Sequence, residues 1–129
     1  LYTFEINDEQ EDFTRPWIEG SPVADRIEFI IGDAIVQAPK LGVTFDMAFI
    51  DGDKRTYVET YEMVINVLRP GGFVLADNTL WDGHVVDPAY DRDPQTRGIR
   101  LFNDHVARDT RVERVILPLR DGLTLIRKK

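Results

Sequence analysis

The sequence predicts an α/β fold, and three observations support this prediction. Short apolar segments alternate along the chain with amphipathic segments of helical period, which favours parallel strands connected by helices on both faces of a sheet. Polar side chains directly follow the apolar segments, as is common at the carboxyl ends of parallel strands. Near the C-terminus, two apolar segments flank a short turn, which predicts an antiparallel hairpin. The expected sheet is therefore mostly parallel, with an antiparallel C-terminal hairpin.

The first third of the chain predicts two strands with a helix between them. Residues 1–6 predict a strand, and Asn7 or Asp8 can cap the helix that follows it. Pro16 lies within this helix, and because proline lacks the backbone donor we expect a kink or an early end there. Residues 27–31 are almost continuously apolar and predict a buried strand.

The rest of the chain predicts four more strands and two helices. Residues 45–51 and 73–76 predict buried strands, and residues 79–94 predict a long loop, a kind of segment that is often functional. Residues 115–119 and 123–126 predict the two strands of the hairpin. The two helices are predicted by apolar stripes at helical spacing: Tyr57, Tyr61, Val64, Ile65 and Leu68 in the first, and Ile99, Phe102 and Val106 in the second.

Length and composition restrict the class of protein. The 129 residues, 43% hydrophobic and 30% charged, fit one globular domain. A net charge of −7 disfavours binding to nucleic acid or to anionic lipid, and no apolar stretch reaches the roughly 20 residues of a membrane span. The absence of cysteine excludes disulfides and thiolate ligands and favours a cytoplasmic protein. The chain begins with LYTF, a strand already under way without a Met, so we expect residues 1–129 to be a partial domain.

Three oxygen-bearing side chains, Asp51, Asp77 and Asn78, end neighbouring predicted strands. Two carboxylates and an amide oxygen suit a hard divalent cation such as Mg²⁺, Mn²⁺ or Ca²⁺, and leave about half of an octahedron free for a chelating substrate. Lys54 follows Asp51 by three residues, and beside a cation its amine should lose its proton more readily, which makes it a candidate general base. Helix capping by Asp51 or Asp53 and turn formation by Asp77 and Asn78 are the structural alternatives.

Three residues with ring side chains carry weaker signals. Trp81 can anchor the core or form a wall for a flat substrate. His84 and His105 are too isolated in the sequence to predict metal ligands, and His105 is expected to be a surface or packing residue.

Four ordered motifs carry a resemblance to a known family: residues 45–54 (FDMAFIDGDK), 68–72 (LRPGG), 77–83 (DNTLWDG) and 117–124 (LPLRDGLT). Over its whole length the chain resembles the cation-dependent S-adenosylmethionine O-methyltransferases, which include the caffeoyl-coenzyme A and catechol O-methyltransferases and their bacterial relatives. The resemblance implies a Rossmann-like class I methyltransferase sheet. In this chain that sheet lacks its first, central strand and the glycine-rich loop after it. Closure of the gap is expected from direct pairing of the flanking strands, from a partner chain or from residues outside this chain.

The resemblance also implies roles for individual residues on the acceptor side. It implies that Asp51, Asp77 and Asn78 hold the cation and that Lys54 and Asp51 are catalytic, with Lys54 accepting the proton of a catechol- or caffeoyl-like hydroxyl. Trp81 would flank the pocket of this small-molecule acceptor. Family members are commonly homodimers, which makes a homodimer the expected assembly.

On the cofactor side, the resemblance implies that Glu5 holds the ribose hydroxyls of S-adenosylmethionine. Asp33 and Ala34 would lie along the adenine, with the Ala34 backbone N–H as the donor, and Asp51 would also contact the cofactor. Gly52 departs from the family, which often has Ala at this position.

Two other functions remain open. An apolar strand followed by Asp51, one residue and Asp53 is also similar to the haloacid-dehalogenase-type phosphatases, in which Asp51 would be the nucleophile and Asp53 the acid. Alternatively, without the glycine-rich loop the chain is an inactive fragment that retains cation binding.

Overall fold

The computed structural model describes all 129 residues and divides into two compact units, Leu1–Gly42 and Val43–Lys129. Six short 3₁₀ turns connect the longer elements. The strands and helices are β1 (Tyr2–Glu5), α1 (Glu11–Glu19), β2 (Glu28–Ile31), α2 (Ala34–Gln37), β3 (Phe45–Ile50), α3 (Tyr57–Val67), β4 (Leu68–Asp77), α4 (Pro94–Arg108), β5 (Val112–Leu117) and β6 (Leu123–Lys128).

The strands form two sheets of different composition. In the first unit, β1 and β2 pair in parallel; in the second, the strand order is β3-β4-β6-β5. There β3 and β4 are parallel, whereas β6 pairs antiparallel with both β4 and β5. The α/β class and the antiparallel C-terminal hairpin are therefore confirmed. β1 pairs only with β2, and β3 pairs only with β4. Direct pairing of β1 with β3, one of the expected ways to close the gap, is therefore not used.

The first helix of the chain does not end early at its proline. The Asn7 side chain accepts a hydrogen bond from the Glu9 N–H and starts the helical segment, as expected. α1 then continues through Pro16 for three more residues, so the early end was wrong. Because α1 buries none of its residues, the carbonyl that loses its partner at the proline can be hydrated by water.

A buried core joins α3 and α4 to one face of the four-stranded sheet. Every residue of the two predicted apolar stripes is buried. The Phe102 ring makes edge-to-face contacts with Tyr57 and Tyr61, at centroid distances of 5.4 and 5.9 Å. These buried aromatic contacts hold α3 and α4 against each other and position the residues that precede each helix.

Two strands are more exposed than their apolar sequences predicted. In β3, Ile50 and Ala48 contact the core, whereas Met47 and Phe49 are 62% and 59% exposed. Alternate residues of a strand face opposite sides of a sheet, and helices α3 and α4 cover only one side here. β2 is likewise half-buried rather than buried. None of the helices combines the length and the apolar character that a membrane crossing requires.

Candidate active site at the strand ends

Two adjacent strands of the second unit bring acidic residues to the same edge of the sheet. The parallel register pairs Ile50 of β3 with Ala76 of β4, so Asp51 and Asp77 are the next residues on the two strands. Asp77 is half-buried, whereas the Asp51 side chain is 55% exposed. In this sheet, Asp51 and Asp77 therefore lie at the same edge, as expected for polar residues at the ends of parallel strands.

The short connection after β3 places Lys54 beside Asp51. Asp53 caps the 3₁₀ turn Lys54–Thr56, because its side chain accepts a hydrogen bond from the Arg55 N–H at 2.9 Å. The Arg55 guanidinium, which also bonds to this carboxylate, holds the pKa of Asp53 well below its usual range. Asp53 therefore has the capping role that was the structural alternative for it. Its carboxylate is also engaged by the Arg55 guanidinium, which disfavours the role of proton donor in a phosphatase reaction.

The amine of Lys54 is held on two sides. Its Nζ donates to Asp51 Oδ1 at 3.0 Å and to the Tyr57 hydroxyl at 2.6 Å. It also lies 4.6 Å from the centre of the Tyr57 ring and 5.8 Å from that of the Trp81 ring. The Lys54 side chain is only 7% exposed, so its charge is shielded from water and is compensated by Asp51.

Tyr57 is a site residue that the sequence analysis assigned only to the core. The single proton of its hydroxyl is shared between the carbonyl oxygens of Ile50 and Asp77, at 3.2 and 3.1 Å, and the hydroxyl thereby links the ends of β3 and β4. Burial raises the pKa of Tyr57, and the nearby charges of three aspartates, Asp51, Asp77 and Asp121, raise it further. The hydroxyl therefore stays neutral and keeps its proton on the carbonyl side. The available signal was a tyrosine on an otherwise apolar stripe, since a buried hydroxyl needs a partner.

Asn78 follows Asp77 in a left-handed backbone conformation, with φ of 59°. Its N–H donates to Asp77 Oδ1 at 2.8 Å, and its side-chain Nδ2 donates to Asp121 Oδ2 at 2.7 Å. Asn tolerates this conformation better than most residues do, which explains its place at this turn. Asp121 belongs to the turn between β5 and β6, where the sequence predicts the turn of the hairpin but no role in the site.

A cavity of about 240 Å³ opens next to these residues. Its walls come from β3, from the end of β4 and from the hairpin, and neither Asp51 nor Lys54 lines it. Its lining residues are Phe49, Asp77, Asn78, Leu119, Arg120, Asp121 and Leu123.

Trp81 has the packing role considered for it, and its role as a wall for a flat substrate stays a prediction. It is half-buried and packs against the core, while its ring also faces the Lys54 amine. The segment around it, predicted as a long loop, forms two 3₁₀ turns, Trp81–Val86 and Pro88–Tyr90. The His84 ring of the first turn stacks on Tyr90 of the second, with a centroid distance of 3.5 Å.

Helix α4 positions both this segment and the lysine. Arg100 donates hydrogen bonds to three carbonyls of the segment, those of His84, Val85 and Asp87, and to the Asp91 carboxylate. The Gln95 Oε1 accepts from the Lys54 backbone N–H at 3.0 Å. Gly98 lies so close to the same turn that a Cβ built on it would be 2.1 Å from the Lys54 carbonyl oxygen.

Three of the residues assigned to the cofactor, Glu5, Asp33 and Ala34, lie in the first unit, whereas Asp51 belongs to the second. Glu5 ends β1 opposite Ile31, its carbonyl accepts from the Gly32 N–H, and its carboxylate accepts from the Asn7 N–H. Asp33 caps α2 through a hydrogen bond from the Ile35 N–H. Ala34 is the first residue of α2, where a backbone N–H has no partner within the helix. The structure brings Glu5 and the turn before α2 together, and their contact with a cofactor stays a prediction.

A second group of possible ligands lies on and beside α3 and α4. We call Glu62, His105 and Asp109 the His105 cluster; their ligand atoms lie within 4.8 Å of one another. Arg111 donates hydrogen bonds to both carboxylates, and His105 Nε2 lies 2.6 Å from Glu62 Oε1. The guanidinium already supplies the positive charge that the carboxylates need, so the cluster acts as an ion-pair network between helices. The edge-to-face contact of His105 with Tyr61 agrees with the packing role expected for it.

Comparison with known proteins gives matches along the whole chain. A family model described as O-methyltransferase matches residues 1–129. Caffeoyl-CoA O-methyltransferase 5 of Nicotiana tabacum is 35% identical over 99% of this chain and 58% of its own length. The O-methyltransferase from Bacillus cereus in complex with SAH is 28% identical, with a TM-score of 0.89 over 99% of this chain and 62% of its own. The O-methyltransferase TomG from Streptomyces achromogenes, in complex with SAM, is 27% identical, with a TM-score of 0.90 over 100% and 61%.

The matched relatives are considerably longer than this chain. The chain spans between about half and three-fifths of the curated relatives that it matches, from 53% of a maize enzyme to 60% of a Citrus natsudaidai enzyme.

Proposed function

Because the chain belongs to the O-methyltransferase family, we propose that it takes part in the transfer of a methyl group from S-adenosylmethionine to a hydroxyl of a small molecule. The proposed acceptor carries adjacent hydroxyls, as catechol- and caffeoyl-like compounds do. The similarity to caffeoyl-CoA O-methyltransferase 5 of Nicotiana tabacum supports the caffeoyl class. The Bacillus cereus enzyme is in complex with SAH and the Streptomyces achromogenes enzyme with SAM. These complexes support S-adenosylmethionine as the methyl donor.

The donor set at the strand ends fits a hard divalent cation. Asp51 and Asp77 offer carboxylate oxygens, and the Asn78 amide has its oxygen available because its nitrogen bonds to Asp121. Oxygen ligands of this kind suit Mg²⁺, Mn²⁺ or Ca²⁺. When bound, the cation would polarise an acceptor hydroxyl and favour its ionisation. We assign the cation to this donor set rather than to the His105 cluster. One guanidinium bonds to both carboxylates of that cluster, whereas at the strand ends Asp51 is paired with Lys54 and Asp77 with no cationic side chain.

Lys54 is the proposed proton acceptor. A neutral amine has two N–H bonds and one lone pair, and Asp51 and Tyr57 accept hydrogen bonds from this amine. With both N–H bonds directed at these partners, the lone pair is left for a third direction, where an acceptor hydroxyl can be placed. The Trp81 ring beside the amine would provide a flat wall for an aromatic acceptor. The protein would therefore act mainly by orienting the hydroxyl and accepting its proton.

The cofactor contacts form the other half of the proposal. Glu5 has two carboxylate oxygens, of which one already accepts from Asn7, and such a group suits the two ribose hydroxyls. Asp33 and Ala34 would contact the adenine, and Asp51 would contribute to the cofactor site as well as to the cation. These contacts are tested by S-adenosylhomocysteine binding to Glu5→Ala, which should be at least about tenfold weaker than binding to the unchanged protein.

One observation carries the proposal: the ends of β3 and β4 bring Asp51, Lys54, Tyr57 and Asp77 into one hydrogen-bonded group. Methyl transfer to a caffeoyl or catechol acceptor should stop when a chelator is added and resume with Mg²⁺. Asp77→Ala should lose this activity, whereas Asp104→Asn, an exposed acidic residue of α4, should keep it. Full methyl transfer by Asp77→Ala would contradict the assignment.

An inactive fragment that only binds a cation is the competing possibility. Calorimetry separates the two, because an inactive fragment would bind Mg²⁺ or Ca²⁺ and give no heat with S-adenosylhomocysteine.

The expected assembly is a cytoplasmic homodimer, and light scattering of the purified protein tests its mass.

A further inference from the structure

We propose that Asp121 is a positioning residue that orients the Asn78 amide, so that the amide oxygen rather than the nitrogen faces the cation. This inference rests on the proposed function, because it concerns the same donor set. It assigns a role to a residue of the hairpin turn that contributes no atom to the reaction.

The direction of the Asn78 side chain follows from hydrogen-bond chemistry. An amide end can present either an oxygen, which only accepts, or a nitrogen, which only donates. A carboxylate only accepts, and Asp121 Oδ2 lies 2.7 Å from the Asn78 amide. The nitrogen must therefore face Asp121, because the opposite orientation would place two acceptor oxygens against each other. The oxygen is consequently directed away from Asp121 and is free to act as a ligand.

The backbone around Asp121 makes it a rigid support. Its carbonyl accepts hydrogen bonds from the Leu80 and Trp81 N–H groups, at 2.7 and 3.0 Å. The next carbonyl, that of Gly122, accepts from the Thr79 N–H at 3.0 Å. Gly122 has a φ of 92°, and a Cβ on it would lie 2.6 Å from the Leu80 nitrogen, so only glycine permits this close approach. The turn is thus fastened to the segment that begins at Asn78.

The hydrogen bond from Asn78 favours this outer role for Asp121 over direct ligation. The His105 cluster is the group of three carboxylate or imidazole side chains with ligand atoms within 4.8 Å of one another. Asp51, Asp77 and Asp121 do not form such a group, and Asp121 Oδ2 instead accepts from the Asn78 amide. Asp121 thus contributes negative charge to the site while its carboxylate is occupied by Asn78.

A double-mutant cycle distinguishes orientation from charge. Mn²⁺ dissociation constants are measured by electron paramagnetic resonance for the unchanged protein, Asp121→Asn, Asn78→Asp and the double variant. We expect Asp121→Asn to weaken Mn²⁺ binding by about 10- to 100-fold, because an amide at position 121 no longer selects one orientation of Asn78. In the Asn78→Asp background the same change should not weaken binding, since a carboxylate at position 78 needs no orientation and can accept from the new amide.

The possible outcomes separate this inference from the proposed function. An equal loss of affinity in both backgrounds means that Asp121 acts only through its charge, and overturns the inference. Unchanged affinity in Asp121→Asn overturns it as well. Absence of Mn²⁺ binding by the unchanged protein overturns the proposed function and this inference together. Asp104→Asn, which removes the same charge from an exposed position, should bind Mn²⁺ as the unchanged protein does, and thermal unfolding checks that each variant is folded.

Discussion

Replacing Gly98 with alanine should displace the turn that carries Lys54. The new Cβ would lie 2.1 Å from the Lys54 carbonyl oxygen, 2.7 Å from its carbonyl carbon and 2.9 Å from the Arg55 Cα. All three atoms belong to the backbone, so no side-chain rotation can relieve the contact. Restoring an ordinary separation of 3.4 Å from the oxygen requires a movement of about 1.3 Å between α4 and the turn.

The expected cost follows from the tight packing of this contact. Overpacking in a closely packed interior costs about 1–3 kcal/mol, and a clash with backbone should reach the upper end of that range. Urea unfolding followed by circular dichroism measures the loss in free energy of unfolding. The Lys54 N–H also bonds to Gln95 on α4, so the displaced turn should misplace the amine. We therefore expect the rate of methyl transfer to fall by more than the loss of folded protein explains.

Gly52→Ala is the matched control for this prediction. Gly52 lies in the same connection as Lys54, between Asp51 and Asp53, but a Cβ there would meet no atom within 4 Å. Its free energy of unfolding should stay within about 0.5 kcal/mol of the unchanged protein. Equal stability and activity of the Gly98 and Gly52 variants would refute the view that α4 sets the position of Lys54.

Three further predictions test other parts of the account. Tyr57→Phe removes a hydroxyl that bonds to the Lys54 amine and the Ile50 carbonyl. These buried polar groups then lose a partner, so the free energy of unfolding should fall by about 1–3 kcal/mol. A stability equal to that of the unchanged protein would contradict this. Arg100→Lys keeps the charge but cannot span three carbonyls, so hydrogen exchange should become faster in residues 84–90 and stay unchanged in β6; uniform exchange would argue against a clamp. The hydrogen bond from the Arg111 guanidinium lowers the pKa of Asp109 in the folded state, so the stability it contributes is present above the ordinary aspartate pKa of about 3.9 and is lost as pH falls toward the lower folded value. The stability difference between the unchanged protein and Asp109→Asn should therefore shrink in acid, and a difference that grows as pH falls would contradict this sign.

The sequence could predict the acidic residues of the site because strand ends are local features. Asp51 and Asp77 each follow an apolar segment, and parallel pairing of β3 with β4 places them side by side. Helices α3 and α4 could also be predicted from the sequence, since their apolar residues recur at the period of a helix. Pro16 misled the prediction because a surface helix tolerates a missing hydrogen bond where water can replace it.

The partners that orient the site could not be predicted, because they depend on contacts between distant segments. Asp121 meets Asn78 across 43 residues, and Tyr57 reaches the Asp77 carbonyl across 20. Both residues have an ordinary local role, in a turn and in an apolar stripe, that hides the second one. The exposure of Met47 has the same origin, since an apolar strand segment does not reveal which of its two faces a helix will cover.

A crystal structure of the protein soaked with Mn²⁺, with anomalous diffraction recorded at the manganese edge, tests the central claim most directly. The account predicts one anomalous peak at the ends of β3 and β4, within about 2.0–2.4 Å of one oxygen from each of Asp51, Asp77 and Asn78. A peak in the His105 cluster with none at the strand ends would contradict it, as would a peak bound to the Asn78 nitrogen side.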